Sequence, residues 1–257
     1  MEGTVSNVFL SVIAGLFVGG AAGYVGSLMV IKRMSLVGDA LSHVALPGIA
    51  LGLLFGINPV ATAFGALFLG VALIWVLESK TKLPVEALVG VVFTASLAIG
   101  VLLIPDEKLL ESLFGDISRV TAGDALLAIA GSVAIYGILK FFYRRMMLGV
   151  VSGDLAKSQG IALERENLIY LLLVAAVVAL GIKVVGTLLM GALVILPAAA
   201  SRNISQNLGR YAYGSMVIGG MASIIGILLA FRLHLLPGPI VVLVAVGIFL
   251  LTLFFRR

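Results

Sequence analysis

The sequence predicts an all-α integral membrane protein, a polytopic bundle of eight or nine transmembrane helices, on three observations. Of the 257 residues, 61% are hydrophobic and only 11% charged, less than half the ~25% charge that solvates an ordinary soluble domain. The mean hydropathy is +1.23. The apolar residues also fall into nine runs. At about 20 residues per span these take about 180 residues and leave about 77 for connections, too few for a separate soluble catalytic domain. Residues 1–257 therefore read as a single transmembrane domain.

The runs lie at approximately 8–31, 39–57, 59–77, 84–104, 122–142, 167–184, 186–201, 211–231 and 238–255. The first follows Met1-Glu2-Gly3-Thr4, which lacks the basic region of a signal peptide, so it is expected to be retained. Its Gly15, Gly19 and Gly23 form a small-residue ridge suited to close helix packing in lipid. Pro47 interrupts the second run. The fourth ends before 105–121, where Leu109, Leu110, Leu113 and Phe114 recur at helical spacing among acids, the pattern of an interfacial amphipathic helix. The fifth leads into 143–166, the most polar stretch. Little more than Lys183 to Gly186 divides the sixth from the seventh, which is short enough to be a half-helix. Pro197 is expected to kink or end the seventh.

Charge placement orients the spans. With the N-terminus outside and nine spans alternating, thirteen of the seventeen Lys and Arg residues fall inside. Lys108, Arg119, Lys183 and Arg232 fall outside, the bias that the positive-inside rule demands. The C-terminus is then inside. The net charge of +5 is scattered between apolar runs, which suits a lipid bilayer and not nucleic acid.

Absent motifs narrow the chemistry. With no cysteine, disulfides, zinc–thiolate sites and cysteine nucleophiles are excluded. There is no GxxxxGK[ST] phosphate loop, no HExxH and no GxSxG, so the chain carries no P-loop ATPase and no standard hydrolase site. An ATP-driven process would need a second polypeptide.

Ionisable groups inside a membrane are costly and so are functional candidates. Asp39 and His43 stand at i and i+4 in Gly38-Asp-Ala-Leu-Ser-His-Val-Ala-Leu-Pro47, on one helix face. A carboxylate and an imidazole together suit zinc, manganese or iron in the divalent state. Pro47 has no N–H to give the His43 carbonyl, and broken helices often mark transport sites. Two residues do not complete a coordination sphere, and Asp39 after Gly38 reads equally as a helix N-cap, His43 as a core histidine. Ser42 and Pro47 complete this stretch of a possible pathway, with Glu86 as a further candidate, although an acid in a first helical turn also complements the dipole. His234 and Lys183 are expected to meet water or the interface. Asp154, Ala156 and Gly160 fall in Gly153-Asp-Leu-Ala-Lys-Ser-Gln-Gly160, a short helix ended by glycine and of a size to dock in a partner's groove.

Four stretches together resemble the permease family of zinc, manganese and iron ABC importers. They are Gly38-Asp-Ala-Leu-Ser-His43 with Leu46-Pro-Gly-Ile-Ala-Leu-Gly52, Glu86-Ala-Leu-Val-Gly-Val91, Asp154-Leu-Ala-Lys-Ser-Gln-Gly-Ile161, and Val185-Gly-Thr-Leu-Leu-Met-Gly-Ala-Leu-Val-Ile-Leu-Pro-Ala198. The first is the most specific. The turn Leu235-Leu-Pro-Gly-Pro239 departs from the family's usual Pro-Ser-Gly type. The resemblance implies a helical arrangement similar to the vitamin B12-type importers, in a bacterial or archaeal plasma membrane. It implies a second copy of the chain, two cytoplasmic ATPase subunits and an extracytoplasmic metal-binding protein as partners. It implies that Asp39 and His43 line the path of a transported divalent metal, zinc or manganese first, with no permanently bound cofactor, and that Asp154, Ala156 and Gly160 belong to an ATPase-coupling segment. An ion-coupled secondary metal transporter is the alternative reading.

Overall fold

The computed structural model describes residues 2–81, 83–103 and 120–255. Of the amphipathic segment expected at 105–121, residues 105–119 lie outside them, as does the Lys183 side chain. Among the described residues the chain is helical, with α1 at Glu2–Ile31, α2 at Ser35–Phe55, α3 at Pro59–Thr81, α4 at Val85–Leu103, α5 at Ala122–Val151, α6 at Gly153–Ser158, α7 at Leu163–Val185, α8 at Thr187–Ile204, α9 at Leu208–Leu233 and α10 at Pro237–Leu253. Seven of these contain stretches long and apolar enough to cross a bilayer, while α8 and α10 are shorter. Eighteen residues rise about 27 Å, just under the ~30 Å hydrocarbon core.

Local signals explain most boundaries. Thr121 and Asp124 form a capping box at the start of α5: Asp124 N–H donates to Thr121 Oγ1 at 3.3 Å and Thr121 N–H to Asp124 Oδ2 at 2.9 Å. These bonds satisfy two otherwise orphan donors. Asn207 caps α9 by accepting from Arg210 N–H at 2.8 Å. Pro237 opens α10, where its missing N–H costs nothing. Between α7 and α8 the only non-helical residue is Gly186, buried at φ 86°, a value that side chains with a Cβ rarely adopt.

Three differences from expectation matter. Helix α2 begins at Ser35, four residues before the start of its apolar run, because Arg33 takes a left-handed conformation (φ 62°) and reverses the chain within three residues. The polar stretch 143–166 is largely helix. α5 continues through Arg144 and Arg145 to Val151, and α7 starts at Leu163. Pro197 neither ends α8 nor stands near its terminus.

The core centres on α1 and α2. Gly15, Gly19 and Gly23 of α1 face Ile227, Ser223, Gly219 and Ser215 of α9, so the small-residue ridge is a helix–helix contact. A Cβ on Gly219 would run into the Gly19 carbonyl oxygen. Small residues also seat α2: Gly70 of α3 meets Val44, Gly100 of α4 meets Leu46, and Gly48 faces Thr62 and Ala66 of α3. Over an apolar stretch of 18 residues α2 is 72% buried, against 28% for the same length of α3, α4 and α5. The helix bearing Asp39 and His43 is thus held inside the bundle.

Candidate functional site

Because α2 starts at Ser35 with Met34 at the cap position, Asp39 lies within the second turn. The N-cap reading of this residue is therefore wrong, and its backbone N–H already has a helical partner. Nothing local requires a carboxylate there. His43 follows one turn later, 7% exposed, with its ring centroid 5.4 Å from that of Phe93 on α4. Its Nδ1 is buried with no hydrogen-bond partner among the described residues. Buried ring nitrogens are usually satisfied, so an orphaned one beside an acid is a candidate ligand atom.

The backbone around the pair is fixed from two sides. Ser42 is fully buried and its hydroxyl donates to the Asp39 carbonyl at 2.6 Å, which ties it to its own helix. Pro47 remains inside α2, half-buried, its nitrogen facing Gly100. With no proline N–H, the His43 carbonyl lacks its i+4 donor.

From α8, Gly191 packs directly on Asp39: a Cβ there would stand 2.6 Å from Asp39 Cβ and 2.7 Å from its nitrogen. The motif stretches 38–52 and 185–198, far apart in sequence, thus meet at this residue. Gly191→Ala is expected to push α8 from α2, destabilising the fold by about 1–3 kcal/mol and lowering transport with it. Thermal unfolding in detergent, alongside uptake, checks this; an unchanged midpoint would mean that the contact tolerates a methyl.

Glu86 is not part of this cluster. It is exposed in the first turn of α4, seven residues or about 10 Å along the helix from Phe93. It lines a separate cavity of about 600 Å³ with Lys32, Glu166 and Asn167. There Lys32 Nζ donates to Asn167 Oδ1 at 2.6 Å and sits 5.2 Å from the Tyr170 ring centroid. Burial pushes the Lys32 amine below its ordinary range, against the opposing pull of Glu166, Glu78 and Glu86. Sequence reasoning missed this cluster, since Lys32 and Asn167 are 135 positions apart.

Among the described residues no three His, Asp or Glu side chains gather as a metal cage. The short α6 is capped by Ser152, whose Oγ accepts from Leu155 N–H at 3.2 Å. It ends at Ser158, and the chain turns away at Gly160, φ 74°. Asp154, Leu155, Lys157 and Ser158 face outward, whereas Ala156 is fully buried. Ala156 therefore seats the helix, and its neighbours form the exposed face.

A multi-pass helical bundle with a half-buried acid one turn from a buried imidazole, and a short exposed helix, has the character of a membrane transport protein. The chain belongs to the ABC 3 transport family, whose model matches residues 4–256. It is 31% identical to the high-affinity zinc uptake system membrane protein ZnuB of Haemophilus influenzae, over 97% of this chain and 98% of that one. Identity is also 31% to the manganese import system permease protein ScaB of Streptococcus parasanguinis, over 95% and 89%. Its fold matches PsaBC from Streptococcus pneumoniae, solved in complex with Fab, with a TM-score of 0.84 and 27% identity, covering 96% of this chain and 91% of that one. The helical permease architecture and the ABC importer class expected from the sequence are thereby established.

Proposed function

We propose that this chain forms the membrane pathway of an ATP-driven importer of divalent transition-metal ions, zinc or manganese, with Asp39 and His43 as transient ligands. The observation that carries the reading is the buried, unpartnered His43 Nδ1 one turn from Asp39 on an enclosed helix. Relatives named for zinc uptake and manganese import support the cargo class. Asp and His suit both metals. A pathway site must release its ion, so two donors from one chain, completed by water or a second copy, suit passage better than a closed four-ligand cage.

The family and the lack of a P-loop support two separate ATPase subunits docked on α6 and an extracytoplasmic protein that delivers the metal. Metal uptake into vesicles bearing the assembled complex tests the scheme. Uptake should require ATP and fail with vanadate. Uptake persisting without ATP would instead favour an ion-coupled secondary transporter.

In this reading the N-terminus is outside and the C-terminus inside, which puts the α2–α3 turn outside and α6 inside. The chain has no cysteine of its own, so Asn58→Cys and Lys157→Cys, both at exposed positions, should label from opposite sides with an impermeant maleimide. Labelling from one side would overturn this topology.

A further inference from the structure

We propose that a groove between α1, α5 and α9 binds an anionic phospholipid, its phosphate held by Lys140, Tyr136 and Tyr213. The groove has a volume of about 380 Å³ and an apolar wall that includes Leu16, Phe17, Val133, Met216 and Val217. Tyr136 and Tyr213 meet over it with their hydroxyls 3.2 Å apart. Two phenols share one proton in such a bond, leaving the second free to donate outward. Lys140, one turn further along α5, is exposed, with Nζ 5.5 Å from the Tyr136 ring centroid. Ser132, one turn the other way, also lines the groove. It is 3% exposed and its hydroxyl has no partner among the described residues, against the rule for buried hydroxyls.

A phospholipid presents matching groups in the same order. Phosphate oxygens accept from the Lys140 ammonium and the free phenol proton, and an acyl chain runs inward over the apolar wall. The depth is also right. About 20 residues from the Thr121 cap span the hydrocarbon core, which brings α5 to its headgroup level at Lys140. Phe141, Phe142, Arg144 and Arg145 follow, with the Arg145 guanidinium 5.8 Å from the Phe141 ring centroid, the aromatic and basic belt of an interface. The charge of Lys140 selects an anionic headgroup over a zwitterionic one.

The full chain with Trp75→Phe, which removes its one tryptophan, and Val217→Trp as reporter is reconstituted in phosphatidylcholine vesicles. Brominated phosphatidylglycerol or brominated phosphatidylcholine is then titrated as quencher. Phosphatidylglycerol should be preferred about fivefold, the value of about 1 kcal/mol for one lysine at an anionic surface. Lys140→Gln should abolish the preference and Lys140→Arg should retain it, whereas Tyr213→Phe should weaken quenching by both lipids alike, since both carry the phosphate. Ser132→Ala, about 12 Å deeper along α5 at acyl-chain level, should leave the preference unchanged. Equal quenching by the two lipids, or a preference surviving Lys140→Gln, would overturn the proposal. So would the absence of quenching with Val133→Cys cross-linking between copies, which would assign the groove to a second copy of the chain.

Discussion

Asp39→Asn is expected to abolish most metal uptake while leaving the protein folded. The amide has the volume of the carboxylate, so the close seat of the Asp39 backbone on Gly191 is undisturbed. Helix α2 starts four residues earlier, so no cap is lost. In the proposed reading, what disappears is the negative charge that would face a dication. Loss of an outer-shell partner alone commonly costs about 10–100-fold in metal affinity or activity, and a direct ligand should cost at least as much. His43→Ala should do the same but also opens space beside Phe93, so His43→Asn, smaller in its packing change, accompanies it. Uptake of radiolabelled zinc or manganese, normalised to assembled complex, is the measurement. Near-normal transport by Asp39→Asn and His43→Asn would reduce the pair to a structural element.

The features that hydropathy could locate are those governed by the bilayer. Apolar runs recover the long spans because lipid demands about 20 apolar residues whatever the neighbours. The Gly15, Gly19, Gly23 ridge is legible because close packing in lipid needs small side chains at fixed spacing. Hydropathy marks the membrane edge, however, and not the end of a helix. α5 therefore outruns its apolar run by nine residues, from 142 to 151. The early start of α2 depends on a left-handed Arg33, which composition does not signal because that conformation is ordinarily left to glycine. Its consequence reaches the site, since it decides that Asp39 is no cap.

The candidate site was half legible. The i, i+4 spacing of Asp39 and His43 places them on one face, and Pro47 flags the backbone beside them. Their enclosure is tertiary and has no local signal: it comes from Phe93 on α4 and Gly191 on α8. Glu86 does not stand beside the pair: it lies about 10 Å along α4 from Phe93 and lines a separate cavity. Ser42 turns its hydroxyl onto its own helix, a common resolution for a buried serine in an apolar helix.

Leu155→Asp is expected to uncouple ATP hydrolysis from metal uptake by weakening the grip of the ATPase on α6. The side chain is 48% exposed on a helix flanked by polar residues, so a carboxylate there meets water in the free permease and should alter its stability by about 0.5 kcal/mol or less. In the complex the same carboxylate would displace an apolar anchor. Anchors of this kind are worth about 2 kcal/mol or more, roughly thirtyfold in association. Ala156→Asp is a poorer probe. Ala156 is fully buried and its carbonyl accepts from Ile161 N–H at 3.0 Å, so a carboxylate there would unseat α6 itself at a cost of several kcal/mol. Gly160→Arg acts through the backbone: the position is open, but φ 74° costs an L-residue about 1–2 kcal/mol, which tilts the exit of α6. Co-purification of the ATPase, ATP-driven uptake and thermal stability of the permease separate the three. Leu155→Asp should lose the first two and keep the third, Gly160→Arg should lose part of each, and Ala156→Asp should lose all three. Unaltered co-purification and uptake with Leu155→Asp would remove α6 from the coupling interface.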